Sequence, residues 1–116
     1  MVYIVQEPVK RDPVSGDNVS MFDFRKVLDY GDPVVCLPTG RVSLSPAPTV
    51  ATLRDKLRNF CDDDYLVPTG DPSAIAIACA IACDNNLGKM KMLKWDKESR
   101  RYIMLQIDIY PERRKK

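Results

Sequence analysis

A chain of 116 residues, 45% hydrophobic and 29% charged, with a formal net charge of +2, has the size and make-up of one globular domain with its own core. No stretch reaches the apolar length of a membrane span, and so small a net charge does not by itself argue for nucleic acid. Histidine is absent, which excludes Ser-His and Cys-His nucleophilic pairs and His-ligated metals, leaving an enzyme only carboxylates, Lys, Tyr or a bound cofactor.

In chain order, Val2, Tyr3, Ile4 and Val5 form a short β-prone run stopped by Glu7 and Pro8. Residues 10–18 carry turn and loop chemistry throughout. Residues 21–31 read as a strand running into a short helix, with Asp23 as cap, Val27 and Leu28 facing inward and Gly31 closing it. Val34, Val35, Cys36 and Leu37 are a buried strand that ends at Pro38, Thr39 and Gly40. A Pro-stiffened connector, 43–48, leads to a helix from about Thr49, where Val50, Leu53, Leu57 and Phe60 make one apolar stripe fit to cover a sheet. The acidic triplet Asp62, Asp63 and Asp64 is expected in a solvated loop rather than around a cation.

Residues 64–88 organise the rest. Tyr65, Leu66 and Val67 are a second short buried strand, again ended by Pro-Thr-Gly at Pro68, Thr69 and Gly70. Asp71 can cap a helix that Pro72 opens, since Pro at the first helical position loses no bond the helix would use. From 74 to 83, Ile75, Ile77, Cys79, Ile81 and Cys83 alternate with alanines, which is a strand period. The Ala content, the length and the end signals, with Gly88 at the C-terminus, decide for a helix, apolar on nearly every side and therefore buried. Cys79 and Cys83 stand one helical turn apart, but without His or close Cys pairs the four cysteines (Cys36 and Cys61 are the others) read as buried free thiols, with no metal and no cofactor.

The last third is a hairpin with arms at 89–95 and 101–109. On the second arm Ile103, Leu105, Ile107 and Ile109 share one face, and Tyr102, Met104, Gln106, Asp108 and Tyr110 the other. These elements predict an α/β fold: a small mixed β-sheet with parallel core strands at 34–37, 65–68 and 89–95, two or three helices and a C-terminal antiparallel hairpin. The N-terminal strand is expected at an edge and the 72–86 helix as the most buried element. One domain, 1–110, precedes a basic flexible tail, 111–116.

Three candidate sites follow. Trp95, Tyr102, Met104 and Tyr110 are interface-type residues on or near the hairpin, whose open edge offers strand addition to a second copy or to another protein; their bland role is to cover the end of the core. Lys89, Lys91, Lys94, Lys97, Arg100 and Arg101, interleaved with Trp95 and Tyr102 and followed by the basic tail, suit nucleic acid, or else a solvated, guarded edge. The two Pro-Thr-Gly corners, if their strands are parallel, share one sheet end and offer Thr39, Gly40, Arg41, Thr69, Gly70 and Asp71 to a small ligand. Two tight turns and a cap explain them better, because the repeated glycines and Lys of a phosphate cradle are missing and Asp71 would repel a phosphate.

Residues 62–109, through Asp-Asp-Tyr-Leu, Gly-Asp-Pro before an Ala-rich helix, and Leu-Lys-Trp-Asp followed by Arg-Arg-Tyr-Ile, resemble the C-terminal part of small uncharacterised proteins encoded by tailed bacteriophages. The resemblance implies a small accessory protein acting in an infected bacterium and carries no catalytic residue with it. The expected function is therefore a non-enzymatic accessory or regulatory protein that binds another protein, self-association included. The alternative is a nucleic-acid binder. Without a signal peptide's apolar core or a membrane span, a place in the host cytoplasm is expected.

Overall fold

The structure, a computed structural model, describes residues 1–20, 22–39 and 45–114. Strands β1 (Val2–Gln6), β4 (Pro33–Leu37), β5 (Tyr65–Val67), β6 (Lys89–Asp96) and β7 (Arg101–Asp108) form one sheet, ordered β4-β1-β5-β6-β7. The first four are parallel, and β7 folds back antiparallel beside β6. Strands β2 (Val9–Arg11) and β3 (Asn18–Ser20) pair separately, so part of the expected loop at 10–18 is a small hairpin. Its turn is closed by Asp12, which accepts from the Val14 N–H (2.9 Å) and the Ser15 hydroxyl (3.1 Å).

β1 lies in the middle of the sheet, not at an edge. Both of its parities are apolar, Val2 and Ile4 against Tyr3 and Val5, and all five of its residues are buried. That pattern suits a parallel strand with a packed layer on each face. Helices α1 (Ala47–Lys56) and α2 (Pro72–Asn85) supply one layer, where Leu53, Leu57, Phe60, Ala74, Ala78 and Ile81 meet Tyr3, Val5, Leu66 and Met90. The other layer is Phe22, Phe24, Val27 and Tyr30, around the 3₁₀ turn Phe24–Val27, packed on Val2, Ile4, Val67 and Leu93. The connection from β1 to β4 runs one way along the sheet and the later crossovers run back. A right-handed rule for parallel crossovers places such connections on opposite faces.

The α2 ends are set by local chemistry. Asp71 accepts from the Ser73 N–H at 2.8 Å, Pro72 opens the helix, and the Gly88 N–H donates to the Cys83 carbonyl at 2.7 Å. Gly88 has φ +83°, and a Cβ there would run into the Tyr110 ring. α2 is not buried all round: Ala74, Ala78, Ile81, Ala82 and Cys83 are buried, but Ala76 and Ala80 are exposed. It lies in an outer layer, packed against α1, β1 and β6, so among the described elements β1, rather than α2, is the most buried.

Other departures have equally local causes. Leu28 is exposed while Val27 is buried, because the 3₁₀ turn at 24–27 turns Phe24 and Val27 to the sheet and ends before Leu28. α1 stops at Lys56, so Leu57 and Phe60 enter the core from the turn after it, and Val50 is exposed. Asp64 is buried: its carboxylate accepts from the N-terminal ammonium (3.0 Å) and the Cys61 N–H (3.0 Å). Cys36 and Cys83 are buried free thiols, Cys79 is half-buried, and Cys61 is exposed. Pro111–Arg114 form a second 3₁₀ turn, with the Arg113 guanidinium 4.1 Å over the Tyr110 ring.

Candidate interaction surface

The β6–β7 hairpin closes on Asp96, which accepts from the Ser99 hydroxyl at 2.6 Å and, with its carbonyl, from the Arg100 N–H at 2.8 Å. The two arms run in unbroken register, Met90 opposite Ile107, Met92 opposite Leu105, Lys94 opposite Ile103. The Ile109 N–H donates to the Gly88 carbonyl at 2.9 Å. Bonding alternates along an antiparallel pair, so Ile103, Leu105 and Ile107 turn their backbone groups toward β6. Tyr102, Met104 and Gln106 turn theirs outward, where no described strand pairs with them.

This edge lacks the usual guards. β7 is eight residues long, without Pro, Lys or a bulge, and its charges, Arg101 and Asp108, stand only at its ends. Met104 (42%), Leu105 (37%) and Ile109 (53%) are exposed along it. Among the described residues no helix covers β7 on the α2 side either. A groove of about 850 Å³ remains there between α2 and the hairpin, lined by Cys79, Cys83, Leu87, Met90, Ile107 and Ile109. Tyr110 stands on its rim.

On the opposite face Trp95 and Tyr102 meet edge to face at 5.0 Å, Phe22 lies 6.4 Å from Tyr102, and the Lys26 ammonium sits 4.5 Å over the Trp95 ring. They wall a crevice of about 500 Å³ that also touches Pro8, Pro68 and Thr69. Burial pushes the Tyr102 phenol up, with a further push from the Asp23 charge. Trp95 and Tyr102 are thus half-buried packing at the end of the second core layer. The expected interface quartet is divided: Met104 points out beside that pair, and Tyr110 lies on the groove side of the sheet. Sequence reading missed Phe22 and Lys26 as their neighbours, and the aromatic pair Phe22 and Phe24 was the available signal.

The basic residues do not converge. Lys89 pairs with Asp62 at 3.4 Å, and Asp62 is held below the usual carboxylate range first by the Asn86 amide and then by Lys89. Lys91 lies 4.2 Å over the Tyr65 ring. Lys94 borders the Trp95 crevice, Arg101 stands at the start of β7 beside Tyr30 and Met104, and Lys97 and Arg100 sit in the turn. Lys115 and Lys116 of the tail lie outside the described residues.

The corner candidates Thr39 and Thr69 do share one sheet end, and a buried side chain ties the corners together. The Gln6 amide, at the end of β1, donates to the Pro38 carbonyl (2.7 Å) and accepts from the Asp71 N–H (2.7 Å). The Asp71 carboxylate serves the α2 cap, and a Cβ on Gly70, at φ +109°, would lie 2.5 Å from the Gln6 Cβ. Gly40 and Arg41 lie outside the described residues. Sequence reading did not single out Gln6; the one polar residue closing an apolar run was its signal.

No curated protein and no solved structure matches the chain. A family model described as phage Pam3 gp32-like protein matches residues 1–109, which takes in the N-terminal strand as well as the C-terminal portion. The chain belongs to the phage Pam3 gp32-like protein family.

Proposed function

We propose that this phage protein is a non-enzymatic accessory protein that acts in the infected cell by binding another protein through strand addition to β7. The observation that carries the reading is the unguarded eight-residue edge, with outward backbone at Tyr102, Met104 and Gln106 and exposed apolar side chains beside it. Backbone bonds supply affinity in such pairing, and alternate side chains supply selectivity. The hairpin cations are engaged separately, Lys89 by Asp62 and Lys91 by the Tyr65 ring with Lys97 and Arg100 in the turn, which favours a protein partner over nucleic acid, since a continuous free basic surface would suit the latter better.

Proline tests this directly. At Met104 it removes an outward N–H and crowds the edge without breaking a bond to β6, whereas at Leu105 it breaks the ladder. Immobilised protein should retain a stoichiometric partner from a lysate of phage-infected cells. Met104→Pro, folded by circular dichroism, should lose it. Undiminished capture by Met104→Pro would place the partner elsewhere and overturn the reading.

A further inference from the structure

We infer that in the free protein, before that partner takes the edge, β7 pairs with the β7 of a second copy, antiparallel about a two-fold axis at Leu105, an inference that rests on the strand-addition reading above. A two-fold axis between antiparallel edge strands stands perpendicular to the sheet, so each residue meets one of the same face. The axis must then pass midway between the two copies of one residue, which face each other. With Leu105 on the axis, Ile103 faces Ile107 of the second copy, Met104 faces Gln106, and Tyr102 faces Asp108. Every one of these residues lies within the strand.

The backbone agrees with this register. Met104 and Gln106 are residues whose N–H and C=O point outward, so they exchange the inter-chain bonds. Leu105, Ile103 and Ile107 then fall in the non-hydrogen-bonded pairs, where Cα atoms approach to about 4.5 Å and side chains pack closest. Six apolar side chains meet there in three pairs, and no like charges are opposed. Arg101 comes opposite Ile109, which its stem can cover. Neighbouring registers are poorer. An axis at Met104 sets Arg101 against Ile107. An axis at Gln106 sets Met104 against Asp108 and runs past the strand to Tyr110, whose N–H already donates to the Asp108 carboxylate at 2.8 Å. The product is a continuous ten-stranded sheet with the two β7 edges joined at its centre and β4 at each end.

Light scattering over about 1 to 100 µM protein, the range of weak specific dimers, should show mass rising toward twice 13.2 kDa, with Met104→Pro staying monomeric. The axis is read by single thiols introduced as Met104→Cys, Leu105→Cys or Gln106→Cys in a Cys61→Ser, Cys79→Ser background. Under mild oxidation Leu105→Cys should cross-link fastest, at least tenfold above the other two, since only its thiols face each other within disulfide reach. A monomer throughout the range, a dimer that survives Met104→Pro, or fastest cross-linking at 104 or 106 would each overturn the inference. The strand-addition reading would outlive the first of these if Met104→Pro still abolished capture of the partner, so the two failures are distinguishable.

Discussion

Replacing Gln6 should loosen the whole sheet end at which the two Pro-Thr-Gly corners meet. Its amide is the acceptor for the Asp71 N–H and the donor to the Pro38 carbonyl, both at 2.7 Å, and the residue is 5% exposed. Gln6→Ala leaves both backbone groups without that partner, at about 1–1.5 kcal/mol each for part-buried groups, so about 2–3 kcal/mol in all. With about 2.1 cal/mol/K of unfolding entropy per residue, a 116-residue chain has roughly 0.24 kcal/mol/K, and the loss amounts to a Tm lower by about 8–12 °C. Gly70→Ala should cost about 2–4 kcal/mol, from the backbone strain at φ +109° and the displacement of Gln6. Because displacement already forfeits the Gln6 bonds, the double variant should fall short of the sum by at least about 1 kcal/mol. Urea unfolding of the four proteins closes the cycle. Strict additivity, or a Gln6→Ala cost below about 0.5 kcal/mol, would refute the clamp.

Asp64→Ala should destabilise by about 1–2 kcal/mol in urea, since it removes the buried carboxylate that the N-terminal ammonium and the Cys61 N–H both reach. Burial holds the Cys36 thiol up at about 11, against an ordinary 9.0. The unfolded chain then loses its thiol proton first, and the stability Cys36 contributes is complete below pH 9 and lost as pH rises toward 11. The urea midpoint should fall over that window, and less in Cys36→Ala. Tyr102→Ala should cost about 2–3 kcal/mol by removing ring contacts with Trp95 and Phe22. In dilute solution Met104→Ala should stay within about 0.5 kcal/mol; equal effects of the two would contradict the division between packing and surface.

What was legible in the sequence was mostly local. Asp71, Pro72 and Gly88 announced both ends of α2, and the alternation of Ile103, Leu105 and Ile107 with Tyr102, Met104 and Gln106 announced a two-faced strand. Burial depended on partners that no local pattern names. The Ile/Ala run looked apolar on every side, yet how many neighbours α2 has is set by topology. β1 carried a signal that was passed over: apolar residues at both parities belong to a strand covered on both faces. Asp64 looked solvated because its partner, the N-terminal ammonium, is 63 positions away, and Gln6 bridges separations of 32 and 65. At the candidate surface the hairpin and its open edge could be anticipated. The withdrawal of Trp95 and Tyr102 into packing could not, because Phe22 reaches them from the far side of the sequence.

Residue-resolved amide hydrogen exchange along β7, at low and high protein concentration and with the captured partner, tests strand addition most directly. The amides of Ile103, Leu105 and Ile107 bond to β6 and should be protected throughout. Those of Tyr102, Met104 and Gln106 should exchange fast in dilute protein and slow at least tenfold when the edge is paired, with Met104→Pro abolishing the slowing at Tyr102 and Gln106. Fast exchange at these positions under every condition, the captured partner included, would contradict the account.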